Sequence, residues 1–233
     1  MVLSPPMLLQ DVPAVLDWLR ARGVQRLVVD SREVRAGDAF MAWPGAAHDA
    51  RRFVPDALRA GAVACLVDAR GLAEEGLSVF GDELEADDER VAALANLKRH
   101  LGDIASAFEG HPSRSLQVVA FTGTNGKTSS TWWYAQASSL LQQPCGLVGT
   151  LGVGQPPVDG REGQWTATGL TTPDPVTLHR SLAQMRRQGL ASCAIEASSI
   201  GIVEHRLQGL QIGLAVFTNF THCLLYTSPS PRD

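Results

Sequence analysis

Residues 117–129 read Gln117-Val118-Val119-Ala120-Phe121-Thr122-Gly123-Thr124-Asn125-Gly126-Lys127-Thr128-Ser129. The first five make a short, mostly apolar run of the kind that builds a buried strand. The run passes straight into a loop with two glycines, and a helix should start within that loop. Glycines let backbone N–H groups turn toward an anion, and a helix N-terminus adds about half a positive charge. Lys127 supplies a point charge, and the Thr128 hydroxyl can bind Mg²⁺. Those parts suit a nucleotide triphosphate. The strict pattern G-x-x-x-x-G-K-[ST] asks for glycine at position 121, where this chain has Phe121. The alternative is a glycine turn that merely precedes a lysine; the strand before it and the helix after it favour the phosphate loop.

Working outward, the same alternation of strand and helix recurs. Val12, Val15, Leu16 and Leu19 fall at helical spacing over 11–20, and residues 27–29 read as a strand. Residues 54–60 look helical, Gly61 stops them, and 62–67 suit a buried strand. A longer helix is expected after Asp87 and Asp88, with Val91, Leu94, Leu97, Leu101, Ile104 and Phe108 on one side, ending near Gly110. The polar stretch His111-Pro112-Ser113-Arg114-Ser115 marks a domain boundary. Beyond the loop, Asp174 can cap a helix that has Pro175 at its first position and ends at Gly189. Residues 194–197 and 212–217 are further strands. Trp132, Trp133 and Tyr134 lie inside the helix after the loop, where packing is the expected role.

Three more places can carry chemistry. Glu196, in Ile195-Glu196-Ala197-Ser198-Ser199, follows an apolar run; beside a phosphate loop on a neighbouring parallel strand it can hold the metal that bridges phosphates. Its other reading is a solvated glutamate at a strand end. Arg206 can grip a second anionic group by a bidentate contact, or be an ordinary surface arginine. Thr171-Thr172-Pro173-Asp174 is a loop whose turn chemistry explains Pro173 and Asp174 but leaves the paired threonines over.

Composition bounds these readings. The chain has 233 residues, 45% hydrophobic and 19% charged, with a formal net charge of −4. Disorder is excluded, one large or two modest domains are allowed, and no basic field exists to recruit nucleic acid or an anionic membrane. Cys65, Cys145, Cys193 and Cys223 form no C-x-x-C pair, which argues against a zinc site or a disulfide framework. No run is long enough to span a membrane, so the expected location is cytoplasmic.

Taken in order, Asp30-Ser31-Arg32 with Gly37-Asp38-Ala39-Phe40 and Gly45, the loop at 123–128, Thr171 to Asp174, Glu196 to Ser199 with His205-Arg206, and Phe217-Thr218-Asn219 resemble the MurE-type Mur ligases. These are UDP-N-acetylmuramoyl-dipeptide ligases that add the third amino acid of the peptidoglycan stem peptide. The resemblance covers about residues 27 to 222 and implies an α/β fold. Residues 1–112 would be a small α/β domain for the UDP part of the substrate. Residues 113–222 would be the first portion of a Rossmann-like P-loop ATPase domain.

The resemblance also implies the chemistry: a substrate carboxylate attacks the γ-phosphate of ATP, and an amine displaces phosphate from the acyl phosphate. Lys127 and Glu196 would be the catalytic residues. Gly123, Thr124, Asn125, Gly126, Lys127, Thr128 and Ser129 would hold ATP, and Thr128 with Glu196 would hold Mg²⁺. Ser31, Thr171, Thr172, Ser198 and Arg206 match positions that contact UDP-N-acetylmuramoyl-dipeptide. The amino acid added is diaminopimelate or lysine, and the complete enzyme is expected to be a monomer.

The chain departs from the family at Ile200, where histidine is common, at Glu204, where glutamine is usual, and at Ala46-Ala47-His48. Residues 223–233 do not continue the family's pattern, so the chain is expected to be an N-terminal fragment that does not complete the ligation alone. The competing readings are a MurF-type, folylpolyglutamate or cyanophycin synthetase, and a fragment that only binds a nucleotide or UDP-sugar.

Overall fold

The structure, a computed structural model, describes residues 6–45, 48–72, 76–80, 88–158, 160 and 162–219. The chain forms two compact units, residues 1–104 and 105–233, the division falling inside the helix Leu97–Phe108. Among the described residues no helix is long and apolar enough to cross a membrane.

In the first unit five strands, β1 (Met7–Leu9), β2 (Arg26–Val28), β3 (Asp38–Ala42), β4 (Ala64–Asp68) and β5 (Val91–Leu94), form one sheet in the order β1-β5-β4-β3-β2. All its pairs are parallel. β3, β4 and β5 are buried at every position, which is why, apart from Asp38 and Asp68 at two strand ends, they are continuous apolar runs rather than alternating ones. Helix α1 (Val12–Ala21) starts where the Asp11 carboxylate accepts the Ala14 N–H at 2.8 Å, and it buries Val15, Trp18 and Leu19. Helix α2 (Val54–Arg59) packs Val54 and Ala57 into the core with Phe40, Cys65 and Val67.

One element differs from expectation. Val91 and Leu94 keep helical spacing with the residues after them, but residues 91–94 are the strand β5, between β1 and β4. The helix α3 (Leu97–Phe108) starts only after Asn96, whose φ of 54° turns the chain. Four consecutive buried positions suit a strand enclosed on both faces, and with two alanines between Val91 and Leu94 the spacing alone cannot separate the two.

The second unit is built from β6 (Gln117–Thr122), α4 (Lys127–Leu140), β7 (Cys145–Gly149), β8 (Gly152–Gln155), β9 (Gln164–Thr166), α5 (Pro175–Arg187), β10 (Ser192–Glu196), α6 (Ser199–Val203) and β11 (Ile212–Phe217). The sheet order is β11-β6-β10-β7-β8-β9, parallel from β11 to β7 and antiparallel beyond. Asp174 caps α5 by accepting the Thr177 N–H at 3.0 Å, with Pro175 in its first turn.

Strand alternation divides the core. Val118, Ala120, Val148, Cys193 and Ile195 pack with Leu178, Leu182 and Met185 of α5, while Val119, Phe121, Leu147 and Ala194 face Ala135 of α4. Trp132 stacks on Trp165 of β9, with ring centroids 5.4 Å apart, and Tyr134 packs on Phe121. Trp133 is 67% exposed, so of the three aromatics it alone departs from the packing role. Cys65, Cys145 and Cys193 are free and buried, and burial pushes the Cys65 thiol up to about 12, so these are packing groups. Cys223 lies outside the described residues.

Candidate active site

The loop at 123–129 leaves the C-terminal end of β6 and enters α4. Gly123 has φ 137° and Gly126 φ 82°, backbone that side-chain-bearing residues rarely adopt. A Cβ on Gly123 would also collide with the Thr218 hydroxyl. Ser130 N–H is bonded back to Gly126 C=O at 2.9 Å, so the amides of Lys127, Thr128 and Ser129 belong to the first turn, whose N–H groups have no intrahelical acceptor. Lys127 Nζ donates to the carbonyls of Gly123 at 2.7 Å and Thr124 at 3.4 Å, folding the ammonium over the loop.

Two loop amides are engaged differently. Thr124 N–H and Asn125 N–H both donate to Asn219 Oδ1, at 3.1 and 3.2 Å, while Asn219 Nδ2 and the Thr218 hydroxyl donate to Asn125 C=O at 2.7 and 2.6 Å. The segment after β11 thus clamps the first half of the loop. Thr218 and Asn219 were legible only as part of a motif, because nothing local in sequence ties them to a loop 94 residues earlier.

Glu196 is the last residue of β10, in register with Phe121 of β6 and on the same strand face as Ala194, the α4 side. Its carboxylate therefore reaches the N-terminus of α4. It is 1% exposed, which rules out the solvated strand-end reading. Oε2 accepts the Thr128 hydroxyl at 2.9 Å and the Thr150 hydroxyl at 3.2 Å, and Oε1 accepts the Thr150 N–H at 2.9 Å. A Cβ on Gly149 would run into this carboxylate, so glycine at the end of β7 makes room for it. Gly149 and Thr150 escaped sequence reading; the only signal was a Gly-Thr pair closing an apolar strand.

The paired threonines divide the work. Thr172 donates its hydroxyl proton to Glu196 C=O at 2.8 Å and accepts the Ser198 N–H at 3.1 Å, its oxygen lying 3.0 Å from Ser198 Oγ. Ser198 Oγ in turn accepts the Gly201 N–H at 3.0 Å and caps α6. Thr171 Oγ1 lies 3.0 Å from Thr150 Oγ1. Arg206 donates to Thr172 C=O at 3.0 Å and so braces this loop. Thr128, Glu196, Thr171, Thr172, Ser198 and Arg206 therefore form one connected network. Ser31 belongs to the first unit, where it opens a 3₁₀ turn that Asp30 caps from its side chain.

Among the described residues no three His, Cys, Asp or Glu side chains cluster as a metal cage. Mg²⁺ bound with nucleotide asks for less: one or two protein oxygens, phosphate oxygens and water. The Thr128 hydroxyl and the Glu196 carboxylate supply two such hard oxygens 2.9 Å apart at the mouth of the loop, and this donor set fits that ion.

The chain that carries this arrangement, a glycine loop joined to a strand-end glutamate and a threonine loop, is similar to known proteins. The Mur ligase family, catalytic domain, matches residues 24–109, and the Mur ligase middle domain matches residues 121–223. The chain belongs to the Mur ligase family.

Relatives that it matches within the family include UDP-N-acetylmuramoyl-L-alanyl-D-glutamate–2,6-diaminopimelate ligases. That of Acidovorax sp. (strain JS42) is 49% identical over 220 residues, an alignment covering 91% of this chain and 41% of the relative. That of Janthinobacterium sp. (strain Marseille) is 43% identical, over 89% of this chain and 39% of the relative. The chain spans about two fifths of the length of these curated relatives. A solved structure of a ligase with the same name superposes with a TM-score of 0.68 at 28% identity, covering 88% of this chain and 38% of the other. A MurF structure from Acinetobacter baumannii shares the fold, with a TM-score of 0.59 at 19% identity over 97% of this chain and 43% of the other.

Proposed function

We propose that this chain is the UDP-substrate- and nucleotide-handling part of an ATP-dependent ligase of peptidoglycan synthesis, which joins 2,6-diaminopimelate to UDP-N-acetylmuramoyl-L-alanyl-D-glutamate. Residues 1–112 take the UDP portion and residues 113–222 contribute to the ATP domain. Its substrates, ATP and a UDP-linked sugar peptide, place the reaction in the cytoplasm. The observation that carries this reading is the contact of Thr128 with Glu196, which joins the phosphate loop to the strand end where Thr171, Thr172, Ser198 and Arg206 converge. The names of the relatives favour diaminopimelate over lysine.

In this reaction the substrate carboxylate attacks the γ-phosphorus of ATP and ADP leaves. The amine then attacks the acyl carbon, phosphate leaves, and the nitrogen gives up a proton. No protein atom forms a covalent bond, so the chain's task is placement and charge neutralisation. Lys127 and the amides opening α4 neutralise the phosphates. Thr128 and Glu196 hold Mg²⁺, which when bound offsets charge on the phosphate oxygens. Thr171, Thr172, Ser198 and Arg206 contact the UDP-linked substrate, as does Ser31 of the first unit.

Calorimetric titration of the 233-residue chain tests this. Lys127→Ala removes a charge-assisted contact of about 1.5–3 kcal/mol, weakening MgATP binding roughly tenfold or more. UDP-N-acetylmuramoyl-L-alanyl-D-glutamate should bind more tightly than its tripeptide counterpart. Equal ATP affinity in Lys127→Ala would refute the phosphate loop, and preference for the tripeptide would move the chain to the MurF-type reading.

A further inference from the structure

Thr150 is the first residue after β7, exposed at its surface, and belongs to none of the motifs described above. It nevertheless contacts Glu196 twice, through its N–H to Oε1 at 2.9 Å and its hydroxyl to Oε2 at 3.2 Å. Gly149 beside it has no side chain, and the carboxylate lies in the room this leaves. With both oxygens engaged from one residue, rotation of the carboxylate about its last bond would break at least one contact. The same hydroxyl lies 3.0 Å from Thr171 Oγ1.

Proton direction follows from the donor inventory. An ionised carboxylate only accepts, and a hydroxyl has a single proton. Thr150 therefore gives its proton to Glu196 and must accept one from Thr171. The chain runs Thr171 to Thr150 to Glu196, leaving Thr171 with lone pairs rather than a proton for any further partner.

We propose that Thr150 is a positioning residue: its hydroxyl fixes the orientation in which Glu196 meets the metal, and it links that carboxylate to Thr171 of the substrate loop. The inference rests on the reading of Thr128 and Glu196 as the Mg²⁺ pair. Groups that orient a metal ligand from behind are commonly worth about ten- to a hundredfold in metal affinity.

The test is ADP binding to the 233-residue chain, followed calorimetrically across a Mg²⁺ titration and again in EDTA. Thr150→Val keeps shape and the backbone N–H while deleting the hydroxyl; Thr150→Ala is a second deletion, and Thr150→Ser restores the hydroxyl. The Mg²⁺ midpoint should rise about tenfold in the Val and Ala variants and stay within about twofold of the parent in the Ser variant. Metal-free ADP affinity should be unchanged in all three. Parent-like midpoints in both deletions, while Glu196→Gln shifts its own, would overturn the role of Thr150 and leave the metal pair standing. A raised midpoint in Thr150→Ser would assign the effect to the lost methyl group, also overturning it. An unshifted midpoint in Glu196→Gln would remove the metal pair and this inference with it.

Discussion

Glu196→Gln separates what the carboxylate does for the fold from the metal role proposed for it. In the parent the group is 1% exposed and accepts three hydrogen bonds, one from a backbone N–H and two from hydroxyls. Glutamine has the same shape. Its carbonyl can keep the Thr150 N–H bond, and its NH₂ can donate to Thr128 and Thr150, whose hydroxyls can turn to accept. Bonds to a charged group contribute about 1.5–3 kcal/mol and neutral ones about 0.5–1.5, so three exchanges lose roughly 3–4 kcal/mol. Relief of the desolvation penalty of a buried carboxylate, several kcal/mol, offsets that loss. The net change in stability should lie within about 1–2 kcal/mol of zero. Glu196→Ala has no such compensation: it leaves the Thr150 N–H without its acceptor and a void at the strand end, costing about 2–4 kcal/mol. Metal dependence should behave oppositely, because an amide cannot replace a negative charge on a hard cation. The Mg²⁺ needed for half-maximal ADP binding should rise at least about tenfold in Glu196→Gln, the equivalent of about 1.4 kcal/mol. Thermal melts paired with nucleotide titrations at a series of Mg²⁺ concentrations read both quantities. A Gln variant that melts with the parent and keeps its Mg²⁺ midpoint would refute the metal role and leave Glu196 as a structural clamp.

Other expectations follow from the remaining features. Asp38, which opens β3, is buried; burial alone would raise its carboxyl, but bidentate bonding from Arg26 at 3.0 and 2.6 Å and the Arg35 N–H hold it below the usual carboxylate value. A lowered folded-state pKa contributes stability fully above the unfolded value of about 3.9, and this is lost as pH falls through the folded value. Asp38→Asn should therefore cost about 2 kcal/mol at pH 7, discounted for the partly exposed Arg26, and much less near pH 3. Hydrogen exchange of the β2–β3 amides checks this, and an undiminished gap at pH 3 would contradict it. β11 lies at the edge of the described sheet, with Ile212, Leu214 and Phe217 between 41% and 73% exposed. Leu214→Lys should slow self-association of the 233-residue protein, measured by light scattering, because an inserted charge opposes strand addition; unchanged scattering would exclude this edge as the route.

How much of this was legible depends on where each signal resides. The strand, loop and helix over 117–140 could be read because an apolar run, two glycines and a lysine are local, and so could α5, whose cap and stop lie at its own ends. β5 could not, since enclosure by neighbouring strands, not spacing, decides whether Val91-Ala92-Ala93-Leu94 is strand or helix. The site is harder still, because its bonds cross 46, 68 and 95 residues of sequence, from Thr150 and Thr128 to Glu196 and from Thr124 to Asn219. Apart from Thr150, which no motif named, these residues could be named in advance, but their meeting depends on register. β10 pairs Glu196 with Phe121, and Cys193 and Ile195 go to the α5 face while Ala194 and Glu196 go to the α4 face. A slip of one residue would turn the glutamate toward Leu178 and Leu182 and break all three of its hydrogen bonds. Such a slip is opposed by the apolar side chains that alternate with Glu196, since Ile195 would have to leave its core. The packing of Cys193 and Ile195 against α5 is therefore what aims the carboxylate at Thr128, and Ile195→Ala should loosen the site as well as the core.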